Sequence, residues 1–410
     1  MVYTTSHKVL APPRTPVEAA PEPTRPWGSP TPPRPSRWLR ALRIAVVAAV
    51  ICLIPVAVSY VRTMSERSDS SLGIRTVEWL RDHGARGLVN TVENWYYSLS
   101  APSKGGPGIR ALPTQAGAYA GASASGSTPT RRVRVHHYYR PPRIQPIIHP
   151  ALPGEGVWHG TFAAGGSRPP VLITSYRPNA DYPSIVAGVA WIDHTRATVH
   201  LYPGAQEPAI PIPNRGPEEV PTALRGGLVA TFNSGFKLAD SGGGLVLHGH
   251  TYAPMHDGTA TIVGYRSGRV DVAAWTGGPD AGPDVVFARQ DLPLIVNHGH
   301  VNPNLSDGPE WGATLGNRVF VWRSAVGIDR HGNLIYAAAN DQTVGSLAQI
   351  MVHAGAVRAM ELDINAYWPS FITYRFPGAG HPANLLADMI RSPLRYLTPD
   401  DRDFFAVYLR

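Results

Sequence analysis

The chain is almost without cysteine: Cys52 stands alone among 410 residues. That excludes a disulfide framework and any zinc site built on cysteine thiolates. Lysine is nearly as scarce, three against 34 arginines, the usage of a GC-rich coding genome. Charged residues make up 16% of the chain, while Gly and Pro number 41 each. Thin charge and frequent helix breakers exclude a coiled coil or an all-helical bundle.

Positive charge is missing where a nucleic-acid groove would need it. The formal charge is +8, but residues 1–43 carry +5, residues 101–156 carry +6, and residues 44–61 and 62–100 carry none net, which leaves 157–410 at −3. The part long enough to fold is mildly acidic, so no nucleic-acid partner is expected.

Long apolar runs are also absent, with one exception. Residues 44–61, IAVVAAVICLIPVAVSYV, hold no charge between Arg43 and Arg62. As a helix the run spans about 27 Å, enough to cross a bilayer, and Pro55 is tolerable there. The 43 residues before it and the bulky Ser59-Tyr60-Val61-Arg62 exit argue against a cleaved signal peptide. A retained transmembrane helix is therefore expected over 44–61. Arg34, Arg37, Arg40 and Arg43 put the N-terminus in the cytoplasm by the positive-inside rule and everything after residue 62 outside. The expected location is the cell membrane, with a single pass.

Residues 1–43 read as a disordered cytoplasmic Pro-rich tail. Residues 101–156 hold nine Pro and eight Gly and read as a flexible basic linker. Between the span and that linker, in 62–100, Val77, Leu80, Leu88, Val92, Trp95 and Leu99 recur at helical spacing, interrupted by Gly84 and Gly87. This predicts a juxtamembrane amphipathic helical segment. From Val157 to Arg410 short β-rich runs such as VLITSY (171–176), LVATFN (228–233), RVFVWR (318–323) and NLIYAAA (333–339) alternate with turn signals, among them Arg266-Ser267-Gly268 and His331-Gly332-Asn333. One helix is predicted over roughly 344–354, with Thr343 as N-cap and Gly355 as stop. The expected class is α+β, a mixed β-sheet domain with few helices, over 157–410.

Several catalytic signatures are missing from that domain. No G-x-S-x-G elbow surrounds Ser234, and Gly242-Gly243-Gly244 lacks the Lys-Ser/Thr continuation of a phosphate loop. His248-Gly249-His250 and His298-Gly299-His300 have the spacing of strand-borne metal pairs, but a central glycine reads equally as a turn tip. No metal and no cofactor is assigned.

What remains is a set of acids, amides and one arginine. In the apolar run VRAMELDI (357–364), strand alternation places Glu361 and Asp363 on one face. Two carboxylates so placed can share acid and base roles at a glycosidic bond, or end a solvated strand. Arg323 closes RVFVWR, where its planar fork suits two phosphodiester oxygens or a structural salt bridge. Asn233 and Gly235 follow the strand LVATF at a turn that can aim an amide and backbone donors into a cleft, with Lys237 nearby.

Together these pieces resemble the phosphodiester glycosidase family. Phe232-Asn233-Ser234-Gly235-Phe236 is similar to its Asn-Gly-Gly-Phe element, and Arg323-Ser324-Ala325-Val326-Gly327-Ile328-Asp329 to its Arg-Thr-Ala-Ile-Gly-Val-Asp segment. Residues 346–363, SLAQIMVHAGAVRAMELD, resemble its helix, Gly-Ala turn and Leu-Asp strand end. The likeness runs from roughly residue 228 to 376. One departure stands out: the family's Gly-Gly-Gly-Ser after Leu-Asp is here Ile364-Asn365-Ala366-Tyr367, a form that resembles a membrane-anchored bacterial branch. Ile364 cannot offer the close backbone approach of glycine.

The resemblance implies a hydrolase of sugar-1-phosphodiester or related glycosidic bonds, here in envelope glycans. It implies Asp363 and Glu361 as catalytic carboxylates and Asn233, Gly235, Arg323 and Asn365 as substrate-binding residues, with Arg323 on the phosphate. Trp311, Trp322, Tyr367 and Trp368 are candidates for stacking on sugar faces. The alternatives are a catalytically inactive glycan-binding module and an envelope scaffold that recruits partners through its proline tail.

Overall fold

The computed structural model describes residues 37–66, 68–100, 102–118, 139–161, 168–306, 309–312, 320–375 and 378–410. Two compact units emerge, Met1–Ser59 and Tyr60–Arg410. Of the first, the described part is helical: α1 runs from Arg37 to Ser65, with Pro55 inside and no buried residue. By length and composition α1 is apolar enough to cross a membrane. Residues 1–36 of the expected tail and 119–138 of the expected linker lie outside the described residues.

The described residues of the second unit form three antiparallel sheets and a few helices. The largest has eight strands, in spatial order His159–Gly160, Val171–Tyr176, Ala187–Ile192, Leu334–Gln342, Val321–Ile328, Arg358–Glu361, Leu294–Asn297 and His300–Val301. Strands Val171–Tyr176, Ala187–Ile192 and Val321–Ile328 are buried along their whole length, as their unbroken apolar runs require, because both faces are covered. On one face the helix Val344–His353 packs with Ile295, Ala325 and Ala337. The other face shares a core with two five-stranded sheets: Ile173, Val326 and Tyr336 meet Phe232, Phe371 and Phe405 of one, and Leu245, Ile262 and Phe287 of the other.

The mixed sheet expected from the sequence resolves into pairings that are all antiparallel among the described strands. One strand–helix–strand unit is present. Strands Leu334–Gln342 and Arg358–Glu361 run parallel to each other, but Val321–Ile328 lies between them and pairs antiparallel with both. The connecting helix spans Val344–His353 and is α5 in chain order; Thr343 and Ser346 close a capping box at its start. Gly355 beyond its end takes φ 96°, the left-handed conformation of a helix stop.

The described residues between Tyr60 and Val157 belong to this unit. Helices α2 (Leu72–Leu80) and α3 (Arg86–Ser100) are joined through Arg81–Ala85, where Gly84 turns the chain at φ 85°. Arg81 bridges Glu78 at 3.0 Å and Glu93 at 2.6 Å, tying the hairpin across its turn. Residues 139–156, expected as free linker, do not stand apart. Ile144 is buried, Trp158 Nε1 donates to Pro142 O at 2.8 Å, and the buried Glu155 pairs with Arg177 at 2.9 Å. A proline-rich run without apolar periodicity is held here by its carbonyls and one buried ion pair, signals that periodicity does not carry. The short helix α4 covers Leu238–Ser241.

Candidate active site

Three strand ends meet at one edge of the core: Leu228–Asn233, the start of Val321–Ile328, and the end of Arg358–Glu361. They are stitched by hydrogen bonds across the sheets. Leu362 N donates to Ser324 O at 2.8 Å, Asp363 N to Ser234 O at 3.1 Å, and Ser324 Oγ to Asp363 O at 2.9 Å. Asn233 sits inside this seam. Its Nδ2 donates to Ser324 Oγ at 3.0 Å and its Oδ1 accepts from Tyr336 Oη at 2.9 Å and Ser370 N at 3.0 Å. The amide expected to orient substrate is thus engaged within the protein and does not line the adjacent pocket. At Gly235 a Cβ would come within 2.1 Å of Asp291 Oδ2, so the glycine permits a close packing contact.

The two expected carboxylates part company. The strand ends at Glu361, not Ile364, because the backbone turns across to bond with Ser324 and Ser234. Glu361 is completely buried and accepts from Arg323 Nη1 at 2.6 Å. Burial pushes its carboxyl up to about 7 against the pull of Arg323. Asp363 instead lines the pocket, with Oδ1 accepting from Ile364 N at 3.0 Å and Oδ2 from Arg402 Nη2 at 2.5 Å. Burial raises it above the ordinary carboxylate value, opposed by Arg402.

Arg323 departs from the phosphate-clamp expectation. Its Nη1 also donates to Trp311 O at 3.0 Å and its Nε to Gln342 O at 2.9 Å, and it does not line the pocket. An arginine ending an apolar strand next to a buried acid is drawn to that acid, since an unpaired buried charge costs several kcal/mol. The bland salt-bridge reading is the one the geometry realises.

The pocket beside Asp363 holds about 90 Å³ of free space and is lined by Glu78, Lys237, Asn365, Trp368 and Arg402, among others. Asn365 takes φ 75°, a left-handed conformation that asparagine tolerates, and its Oδ1 has no partner among the described residues. The same holds for Arg402 Nε and Nη1, Ser234 Oγ, Asp291 Oδ1 and Glu361 Oε2. Of these residues Asn365 and Arg402 line the pocket, and their unmatched atoms give it hydrogen-bonding capacity that a polar ligand can use. A larger cavity of about 500 Å³, lined by residues such as Tyr202, Tyr265 and Phe287, has no carboxylate in its walls and offers no acid for hydrolysis.

Of the aromatic candidates, Trp368 lines the pocket with Arg402 stacked 4.4 Å from its ring. Trp311 and Trp322 are buried away from it. Tyr367 lies under the Arg391 guanidinium at 4.2 Å. Ile364, in place of a glycine, joins Phe236 and Val321 in a small apolar cluster beneath the pocket.

Sequence reasoning missed the run Asp400-Asp401-Arg402-Asp403, which looks like a solvated turn. All four are buried. Asp400 pairs with Arg395 at 2.6 Å, Asp401 accepts from Ser70 Oγ at 2.6 Å, Arg402 meets Asp363, and Asp403 holds Arg289 at 2.8 Å. The available signal was position: four charges directly before the wholly apolar strand Phe404–Leu409. Asp291 was missed as well. Burial pushes it well above the ordinary carboxylate value, against Arg289, and its Oδ2 accepts from Phe236 N at 3.1 Å.

The histidine pairs are turn tips. His248-Gly249 takes φ 53° and 78°, His298-Gly299 takes 50° and 76°, and each joins two antiparallel strands in the manner of a two-residue hairpin.

Comparison with known proteins finds a family model that is similar to this part of the chain. Residues 219–363 match the family model described as phosphodiester glycosidase. No curated protein matches the chain. Among solved structures, the zebrafish N-acetylglucosamine-1-phosphodiester alpha-N-acetylglucosaminidase catalytic domain, auto-inhibited by its pro-peptide, is similar at 13% identity and TM-score 0.39, over 60% of this chain and 85% of that one. A Synechocystis protein is similar at 15% identity and TM-score 0.34, over 58% of this chain and 62% of that one. The matched segment begins just before strand Leu228–Asn233 and ends on Asp363 itself, so the likeness to a phosphodiester glycosidase covers the strands that build this edge.

Proposed function

We propose that the chain is a membrane-anchored hydrolase of sugar-1-phosphodiester or related glycosidic bonds in envelope glycans, working on the outer side of the membrane that α1 crosses. The observation that carries this reading is Asp363: a buried carboxyl at the end of the segment that matches the family model, opening onto a pocket where Asn365 and Arg402 hold unmatched polar atoms. Burial favours its protonated form, which suits a group that gives a proton to the leaving oxygen of a glycosidic bond and recovers one from the attacking water. Asn365 and Trp368 stand where they can hydrogen-bond and stack on a sugar. Glu361 and Arg323 act from behind as a positioning pair that holds the strand end under Asp363. Asn233 and Gly235 hold the neighbouring turn in place.

The test uses the full chain in detergent micelles, incubated with envelope glycan fractions and with an N-acetylglucosamine phosphodiester. Mass analysis should find released sugar from the wild type and none from Asp363→Asn. Retained sugar binding without release, in the wild type, would replace hydrolysis with the glycan-binding reading.

A further inference from the structure

Lys237 is the single lysine of residues 157–410, and it reaches the pocket where Arg402 already points. Its Nζ contacts the Glu78 carboxylate of α2 and stands 3.5 Å from Asp82. Lys237 and Glu78 are both largely withdrawn from solvent, at 16% and 17% exposure, so the contact is not a screened surface pair. Across the pocket Arg402 spends one nitrogen on Asp363 and leaves Nε and Nη1 without partners among the described residues, although they are buried. Burial alone would push Glu78 up, yet Lys237, Arg402 and Arg81 hold it below the ordinary carboxylate value. An ionised carboxylate therefore sits facing two cations that come from elements far apart in the chain.

We propose that Lys237 and Arg402 form an anion subsite for the phosphate of a phosphodiester, and that the Glu78 carboxylate of the α2–α3 hairpin fills that subsite in this state. A phosphodiester carries one negative charge, as Glu78 does, so exchanging the two leaves the net charge of the pocket unchanged. The exchange also gains something. A carboxylate held by Lys237 does not satisfy the two idle Arg402 donors, whereas a tetrahedral diester presents further oxygens to an arginine fork. Arg323 cannot take this role, since Glu361, Trp311 O and Gln342 O already occupy it. Apart from those of Glu78 itself, the polar contacts of the hairpin and its lead-in include Arg86 to Asp240 at 2.9 Å, Asp69 to Arg391, Ser68 and Ser70 to Asp401, and Ser71 N to Tyr367 Oη at 3.3 Å. Its two helices meet at the left-handed Gly84.

This inference rests on the phosphodiester reading but is tested without turnover. The probe is dimethyl phosphate, titrated by calorimetry into the full chain in detergent micelles. Glu78→Gln should bind it about ten-fold more tightly than the wild type. Adding Lys237→Gln to Glu78→Gln should abolish the gain, and adding Lys237→Arg should keep most of it. Equal affinity in the wild type and Glu78→Gln would overturn the proposal, as would tight binding that survives Glu78→Gln/Lys237→Gln. Tighter binding of the probe with no release of sugar from any glycan would leave the subsite standing and remove the hydrolase reading. Sugar release by the wild type that Glu78→Gln does not raise, with unchanged probe affinity, would do the reverse.

Discussion

Two arginine–carboxylate pairs flank the same strand end and have opposite surroundings. Arg323–Glu361 is sealed: the arginine feeds two backbone carbonyls besides its acid and neither partner lines the pocket. Arg402–Asp363 has the same chemistry and nearly the same length, 2.5 Å against 2.6 Å, but both partners line the pocket and the arginine keeps idle donors. Distance and charge therefore do not separate a structural pair from a candidate catalytic one. What separates them is whether the arginine spends its donors on backbone carbonyls and whether the pair faces the pocket.

The largest break in that comparison is expected at Asp363. Asp363→Asn keeps an acceptor for Arg402 but cannot carry a proton, so turnover should fall by about 10²–10⁴-fold while the circular dichroism spectrum stays that of the wild type. On the sealed side, Arg323→Met should act on stability first. Removing one partner of a buried pair costs about 3–5 kcal/mol, to be read from chemical denaturation midpoints. A wild-type midpoint for Arg323→Met would show that this pair is not sealed. Between the two walls, Gly235→Ala drives a methyl into Asp291 and should cost about 1–3 kcal/mol; Asp291→Ala in the same chain should recover part of it.

The smallest effect is a pH slope. Glu361 rises from about 4.5 in the unfolded chain to about 7 in the folded one, so the folded state holds its proton where the unfolded chain has lost it. Its contribution is fully present below pH 4.5 and is lost as pH rises through 7. The stability gap between the wild type and Glu361→Gln should therefore shift in favour of the variant from pH 4.5 to pH 7, measured by melting temperature. A gap that does not move with pH would mean that Arg323 holds Glu361 ionised throughout.

The same contrast sets how far the sequence could be read. Strand Leu228–Asn233, the His331-Gly332-Asn333 turn and the capped helix after Thr343 were legible because each is local: an apolar run, a glycine at positive φ, a hydroxyl meeting a free backbone N–H. The family motifs were legible for a related reason, since strand, turn and helix follow in order over 219–363. The roles around the pocket were harder to read. Asn233, Arg323 and Glu361 carry the right side chains for a sugar phosphodiester, but their partners Tyr336, Gln342 and Ser370 lie well apart in sequence and turn them inward.

What the sequence determined by itself is the inventory and its local order. An uncharged run between arginines makes a helix able to cross a membrane, and short apolar segments separated by turns make β-strands with few helices, because burial and turn chemistry act over neighbouring residues. What the tertiary structure decided is which polar groups are spent and which are left over. Asp363 faces Arg402 across 39 positions, and Glu78 faces Lys237 from a helix that the sequence assigned to the membrane side of a linker. A buried charge goes to whichever partner the packed sheets bring within reach, and spacing along the chain does not encode that choice.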